Sequence, residues 1–177
     1  NNEGGEFISV TGTGAKNGFS ALMSRGIPDL QLMFNGQNFP LKINDHIQSS
    51  GNNLGLFSSN VASEEQISLN NINSNLVEKF RVKFTDNEIS SKQIFYYIYG
   101  ILHAKDYKQI FQNNLSKEVP RIPFVKDCND FFTFCKFGGE LAKVHLNYEN
   151  VKPFQVHFKE GDLRLAQIGD PKLFYRV

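Results

Sequence analysis

The stretch from residue 94 to residue 123 constrains the fold of this chain most strongly. Its apolar residues recur with a helical period and predict two consecutive helices. Ser90 and Gln93 form a capping-box pattern, which predicts that the first helix begins at about Ser91. Gly100 costs a helix roughly 1 kcal/mol relative to alanine, so its presence predicts a tightly packed neighbour. Each helix must bury its apolar face against another part of the chain.

A second apolar face follows His103, where the helical phase restarts. Its members are Tyr107, Ile110, Phe111 and Leu115. Pro120 and Pro123 then prevent further helix and favour an extended exit.

Two more helices are predicted around this centre. Residues 75–84 predict a short helix capped by Asn75, with an inward face of Leu76, Val77, Phe80 and Phe84. Asp127 predicts the start of a long helix over residues 128–149, which the pair Gly138-Gly139 either kinks or splits in two.

Several short apolar segments predict strands, and Asn35-Gly36 predicts a hairpin turn between residues 30–34 and 39–43. The other predicted strands are 6–12, one of 54–62 or 66–70, 153–158 and 173–177. The resulting fold class is α+β, with a small, mostly antiparallel β-sheet packed against a cluster of α-helices.

The size and composition of the chain indicate one soluble domain over residues 1–177. It has 177 residues, of which 40% are hydrophobic and 21% charged. No apolar run approaches the roughly 18–20 residues of a membrane span, and no segment resembles a signal peptide. Cys128 and Cys135 are separated by about 10 Å of helix axis, too far for a disulfide, so we expect both to be reduced. These features favour a cytoplasmic protein with no membrane partner.

The charge of the chain is unevenly distributed. The net charge is +1, but residues 79–126 carry nine basic and four acidic side chains. Such a cluster attracts phosphate groups, and phosphate neutralisation supplies most of the non-specific affinity for DNA. The alternative is an ordinary solvated face of two amphipathic helices.

Motifs for catalysis are weak or absent in the sequence. The glycines at 12, 14 and 18 fit neither standard phosphate-loop spacing, and no G-x-S-x-G or N-P-P-[YF] occurs. His103 with Asp106 and His145 with Glu149 have helical spacing, which is more typical of surface contacts than of acid–base pairs. The cysteines and histidines lack zinc-type spacing. We therefore expect no catalytic residue, metal site or cofactor in this chain.

Three stretches of the chain resemble one known family. They are FYYIYGILHAKDYKQIFQNNLSKEVPRIPF (95–124), ISVTGTGAKNGFSALMSRGIPDLQLMF (8–34) and HLNYE (145–149). In combination they resemble the C-terminal specificity domain, or target-recognition domain, of type ISP restriction–modification enzymes. One departure is that Ala104 and Lys105 occupy the places where the family has a serine–proline pair that caps the second helix.

The resemblance implies a fragment of a longer polypeptide that recognises double-stranded DNA. Adenine-N6 methyltransferase and ATP-dependent endonuclease activities would lie elsewhere in that parent, with S-adenosylmethionine, ATP and Mg²⁺ as its cofactors and the methyltransferase domain as a partner. The alternative is a protein–protein docking module that uses the aromatic helix pair without base readout.

Residue-level expectations follow from charge and from side-chain chemistry. The residues expected to bind DNA phosphates are Lys16, Arg25, Lys79, Arg81, Lys83, Lys92 and Lys126. Those expected to read base edges are Asn17, Lys42, Asn44, Gln48 and Asn52. Four of the five readers fall in or near the polar stretch 44–75, where the family resemblance lapses.

Overall fold

The chain forms two small antiparallel sheets and five α-helices within the part that the structure describes, confirming the α+β class. The structure is a computed structural model and describes residues 5–16, 18–29, 31–46 and 66–152. The strands are β1 (Glu6–Val10), β2 (Ala21–Arg25), β3 (Gln37–Pro40), β4 (Lys42–His46) and β5 (Gln66–Asn70). The helices are α1 (Ser74–Phe84), α2 (Ser91–His103), α3 (Lys105–Ile110), α4 (Gln112–Leu115) and α5 (Cys128–Leu146), followed by a 3₁₀ turn at Tyr148–Asn150.

The central strand of the first sheet is β1, which pairs antiparallel with both β2 and β3. Ile8 lies opposite Met23 on one side and Phe39 on the other, so these apolar side chains share one face of the sheet. Ile8 and Met23 are buried, and this face lies towards α2. The strand predicted at residues 6–12 is confirmed as β1, whereas β2 lies in a segment where no strand was predicted.

The hairpin predicted between residues 30–34 and 39–43 is wrong. The turn itself is present, since Phe34 and Asn35 have φ values of 54° and 49°. The strand that leaves it, β3, pairs with β1, and β4 pairs with β5 from Lys42–Asn70 to His46–Gln66. The second of the two alternative strands, residues 66–70, is therefore confirmed.

Helix α1 confirms the predicted inward face, with Val77, Phe80 and Phe84 buried. The predicted cap is wrong, because Asn73 is the N-cap and its side chain accepts a hydrogen bond from the Asn75 backbone at 2.8 Å. The helix consequently begins at Ser74.

Helix α2 begins where the capping box predicts. The Ser90 hydroxyl accepts a hydrogen bond from the Gln93 backbone at 3.3 Å, and the Gln93 side chain accepts one from the Ser90 backbone at 2.8 Å. Tyr97 and Tyr99 on this helix have no exposed surface. The Tyr97 hydroxyl donates to the Pro123 carbonyl at 2.6 Å, which holds the proline-containing segment 119–126 against α2.

Helices α2 and α5 pack closely at two glycines. A Cβ on Gly100 would stand 2.7 Å from the Phe134 carbonyl oxygen, which confirms the predicted tight packing at Gly100. Gly138 makes the reciprocal approach, against Tyr96 and Gly100. The predicted split at Gly138-Gly139 is wrong: α5 runs without interruption from its Asp127 cap to Leu146, and Gly138 serves helix packing. Cys128 and Cys135 on α5 are both free thiols, as expected.

The second helix of the central stretch is interrupted at Phe111, which separates α3 from α4. Ala104 makes no side-chain cap to α3, in agreement with the missing serine. Tyr107 and Leu115 are buried, whereas Ile110 is 72% exposed, so the second apolar face is narrower than predicted. The strands predicted at 153–158 and 173–177 lie outside the described residues.

Candidate nucleic-acid interface

The phosphate-binding candidates on α1 differ in whether their side chains make contacts within the chain. Lys79 and Lys83 are exposed on the outer face of the helix. The Arg81 Nε donates to the Ile89 carbonyl at 3.0 Å, and its guanidinium lies 4.0 Å from Glu78. Part of the Arg81 side chain therefore fastens α1 to the segment before α2, while the two lysines remain in solvent.

Two further candidates lie near Glu6, the first residue of the central strand β1. Arg25 is the strand partner of Glu6. The Lys92 ammonium lies 5.7 Å from the ring centroid of Tyr96, whose hydroxyl donates to the Glu6 carboxylate at 2.9 Å. The two cations thus lie near Tyr96 and the strand end that carries Glu6.

The remaining predicted residues are separated in space or undescribed. Lys16 is exposed in the glycine-rich segment that follows β1. Lys42 is exposed at the start of β4, and Lys126 is exposed just before α5. Asn44 is placed by its backbone in β4, opposite Ser68. Asn17, Gln48 and Asn52 lie outside the described residues. The structure therefore brings together only subsets of the predicted site.

A polar cleft that these predictions did not include lies between the glycine loop and helices α3 and α4. We define the glycine loop as residues 11–16 and 18–20. The Gly14 backbone donates to the Ser116 carbonyl at 3.0 Å, which fastens the loop to the end of α4. The cleft has a volume of about 570 Å³, and Gly18 and Phe19 form its wall on the loop side.

The opposite wall of the cleft is cationic and rich in amides. Its charged and amide side chains are Lys105, Lys108, Gln109, Gln112 and Asn113. No carboxylate lines the cleft among the described residues. Both lysines belong to the basic stretch 79–126, but no local pattern predicts the cleft, because their meeting with the glycine loop depends on a contact between distant parts of the sequence.

Two histidines lie in the last turns of α2 and α5. His103 packs edge-on against Tyr99 with ring centroids 4.6 Å apart, and the Tyr99 hydroxyl hydrogen-bonds His145 Nδ1. Burial lowers the pKa of His103 to about 4, with smaller contributions from the positive charge of Lys108 and from His145. Burial also lowers the pKa of His145. Both imidazoles are therefore neutral near pH 7.

The two histidine–carboxylate pairs with helical spacing do not form hydrogen bonds among the described contacts. His145 pairs with Tyr99 instead, and the Glu149 carboxylate accepts from Tyr148 at 3.3 Å. Within the described ranges there is also no group of three or more histidine, cysteine or acidic side chains able to hold a metal ion. None of the helices in this part of the chain has the length and apolarity that crossing a membrane requires.

An apolar groove of about 380 Å³ separates β1 and β3 from α2. Its lining includes Ile8, Phe39, Phe95 and Leu102, and none of its described lining residues carries a charge. Such a lining does not suit phosphate groups, so the polar cleft is the better candidate for a nucleic-acid contact.

The fold and the polar cleft together define the class of this chain. It is an α+β domain whose surface has a depression lined by lysine and amide side chains. The particular family is shown by the sequence: the chain belongs to the Type ISP C-terminal specificity domain family, whose match spans residues 2–171. No curated protein sequence gives a significant match to this chain.

Solved structures with the same fold agree with this family. The chain is 28% identical to the protein of a cryoEM DrdV–DNA complex, with a TM-score of 0.69, covering 85% of this chain and 13% of that one. It is 26% identical to the ATP-dependent Type ISP restriction-modification enzyme LlaBIII bound to DNA, with a TM-score of 0.67, covering 87% and 9%.

A third neighbour is a nuclease-deletion mutant of the Type ISP restriction-modification enzyme LlaGI in complex with a DNA substrate mimic. Its identity of 24% and TM-score of 0.58, over 86% of this chain and 9% of that one, show the shared fold alone. The chain thus spans 13% or less of the length of these proteins.

Proposed function

We propose that this chain is the sequence-specific DNA recognition domain of a single-chain restriction–modification enzyme. The observation that carries the proposal is the family match over residues 2–171. Two solved neighbours above 25% identity, one of them a Type ISP enzyme, were determined with DNA, which supports duplex DNA as the ligand.

In this proposal the domain performs no chemistry and positions the activities of a longer polypeptide. Its partner is an adenine-N6 methyltransferase domain of the same chain, which is linked to an ATP-dependent nuclease. S-adenosylmethionine, ATP and Mg²⁺ are cofactors of those other parts. The enzyme would act in the cytoplasm.

The proposed mechanism divides the work between two kinds of contact. Lysine and arginine side chains fix the domain on the DNA backbone, since phosphate contacts set register and orientation without reading sequence. Polar side chains then hydrogen-bond the edges of the bases in the major groove, where each base pair presents a distinct pattern.

The alternative of a docking module that uses the aromatic helix pair receives little support from the packing. Tyr97, Tyr99 and Ile94 on α2 have no exposed surface because they are covered within the domain. The two functions also differ in salt dependence: binding through phosphates weakens steeply as salt rises, whereas an apolar interface does not.

An exchange of domains in the full-length protein tests the proposal. Residues 2–171 are replaced by the equivalent domain of a relative with a different recognition motif, and the methylated adenine is mapped by single-molecule sequencing. We expect the hybrid to methylate the relative's motif, and a hybrid made with a relative of identical specificity to keep the original one. An active hybrid that still methylates the original motif after the first exchange contradicts the proposal. If a hybrid is inactive, its binding to duplexes carrying either motif gives the same answer.

A further inference from the structure

We infer that the polar cleft between the glycine loop and helices α3 and α4 is a DNA-contacting surface of the domain. In this assignment Lys105 and Lys108 contact phosphates, while Gln109, Gln112 and Asn113 hydrogen-bond base edges. The inference rests on the proposed function and deepens it, because it names the surface and the role of each side chain.

The first argument is the chemistry of the cleft wall. Glutamine and asparagine side chains present a donor and an acceptor together, the pattern that pairs bidentately with adenine in the major groove. Lysines beside them supply the phosphate contacts that hold a reader in register. Both kinds of group line one depression, together with Gly18, at which an added Cβ would meet no atom within 4 Å.

The second argument is that the amides of the wall are free within the described part of the chain. Gln109, Gln112 and Asn113 make no side-chain hydrogen bond to another described residue, and all three are exposed. The neighbouring Asn114 differs, because its amide donates to the Glu118 carboxylate at 3.1 Å, which also accepts from Arg121 at 2.9 Å. The cleft-facing amides are therefore available to a ligand, whereas Asn114 serves the fold.

The third argument is electrostatic and separates the cleft from the outer face of α1. On α1 the cation Arg81 lies near Glu78 and donates to the Ile89 carbonyl. Among the described residues the cleft is lined by two lysines and no carboxylate, and the exposed Asp106 of α3 is not part of this lining. The two surfaces therefore differ in that a carboxylate lies beside a cation on α1, whereas none of the described lining residues of the cleft is acidic.

The depression is also held in a fixed shape. The glycine loop is fastened to the end of α4 by the hydrogen bond from Gly14 to Ser116, and its own two ends are joined by a 2.8 Å hydrogen bond from the Ser20 backbone to the Thr11 hydroxyl. Leu115 and Tyr107 anchor α4 and α3 in the core. A cleft with fixed walls needs little ordering when a ligand binds, which favours selective binding.

The phosphate contacts are tested in the full-length protein by two double variants that remove equal charge. Lys105→Gln with Lys108→Gln alters the cleft, and Lys79→Gln with Lys83→Gln alters α1. Affinity for a short duplex carrying the methylation motif is measured between about 50 and 200 mM salt. We expect the cleft variant to reduce the slope of log K against log salt by about 2 in magnitude, and the α1 variant to reduce it less. An unchanged slope in the cleft variant, or a loss confined to the α1 variant, overturns the inference.

The base contacts are tested with single variants and a neighbouring control. Gln109→Ala, Gln112→Ala and Asn113→Ala are compared with Asn114→Ala by mapping methylation motifs and by binding to duplexes with single base-pair changes. At least one cleft variant should lose roughly 5- to 150-fold discrimination at one position of the motif, while Asn114→Ala keeps the parental motif.

Unchanged motifs in all three cleft variants would remove base reading from this surface. The proposed function is tested separately from the cleft, by whether exchange of the whole domain moves the methylation motif. A domain exchange that moves the motif, combined with inert cleft variants, would retain the function and reject the cleft as its site.

Discussion

Gly138 of α5 packs directly against the main-chain carbonyl of Tyr96 in α2. A Cβ at Gly138 would overlap that oxygen and would also stand 2.9 Å from the Gly100 backbone nitrogen. The next residue, Gly139, differs, because a Cβ there would be 3.4 Å from the Tyr96 ring, close to ordinary van der Waals contact. Adjacent glycines of one helix thus have different roles: the first sets the distance between two helices and the second does not.

This difference predicts opposite effects of two alanine substitutions. Gly138→Ala must force α2 and α5 apart, and we expect it to lower the free energy of unfolding by about 1–3 kcal/mol despite the better helix propensity of alanine. Gly139→Ala is the matched control, and we expect it to be neutral or to stabilise by up to about 1 kcal/mol. Urea denaturation measures both values. Equal changes in the free energy of unfolding at the two positions would show that the packing of α2 against α5 does not exclude a Cβ at Gly138.

The neutral state of His103 predicts a pH dependence of stability. Its pKa is about 4 in the folded chain against an ordinary 6.5, so the unfolded chain binds more protons between these values. Stability should therefore fall as the pH is lowered from about 6.5 towards 4, by on the order of 1 kcal/mol once solvent screening of this partly exposed side chain is allowed for. Groups near the imidazole include Tyr99, Lys108 and His145.

Unfolding by urea at several pH values checks this dependence. His103→Gln keeps a polar side chain but removes the titration, so its stability should change less over the same range. The imidazole can also be titrated directly by NMR. A midpoint near the ordinary value of 6.5 in the folded protein would contradict the prediction.

The two cysteines of α5 should differ in reactivity. Burial raises the pKa of the Cys135 thiol to about 12, and its Sγ donates to the Gln93 carbonyl at 3.2 Å. Because the thiolate is the reactive form, we expect alkylation at pH 8 to modify the half-buried Cys128 well before Cys135. Mass spectrometry of the labelled peptides measures the order. Both residues should be alkylated at similar rates in denaturant. Similar rates in the folded protein would contradict the burial of Cys135 on α5.

The polar stretch 44–75 remains a predicted site of base reading. It includes Asn44, Gln48 and Asn52, of which Asn44 is placed in β4 and the other two lie outside the described residues. Replacing residues 44–75 in the full-length protein with the matching segment of a relative of different specificity should move or relax the methylation motif. Mapping of the methylated adenine measures the result. Full activity at an unchanged motif would leave base reading to other surfaces, including the polar cleft.

Local patterns predicted the helices well because each helix carries its own boundary signals. Ser90 with Gln93, and Asp127 alone, fixed two starts that the structure confirms. Gly100 correctly indicated a close neighbour, although its partner Gly138 was taken for a kink or break, since a glycine in a helix has the same appearance in both cases.

Strand pairing was predicted less well because it depends on distant residues. Asn35-Gly36 marks a real turn, but buried β1 supplies a better partner for β3 than the preceding segment does. The strand β2 contains leucine and methionine, which also favour helices. The polar cleft could not be predicted, because it exists only where the Gly14 backbone meets the Ser116 carbonyl.

The pairing of His46 with Gln66 has an evolutionary consequence. The chain leaves β4 and re-enters β5 at adjacent points, so residues 47–65 begin and end at one fixed place. In general, doubling the length of a loop whose two ends meet costs only about 0.6 kcal/mol of closure entropy. Insertions, deletions and recombination at this point can therefore accumulate with little penalty to the helical core.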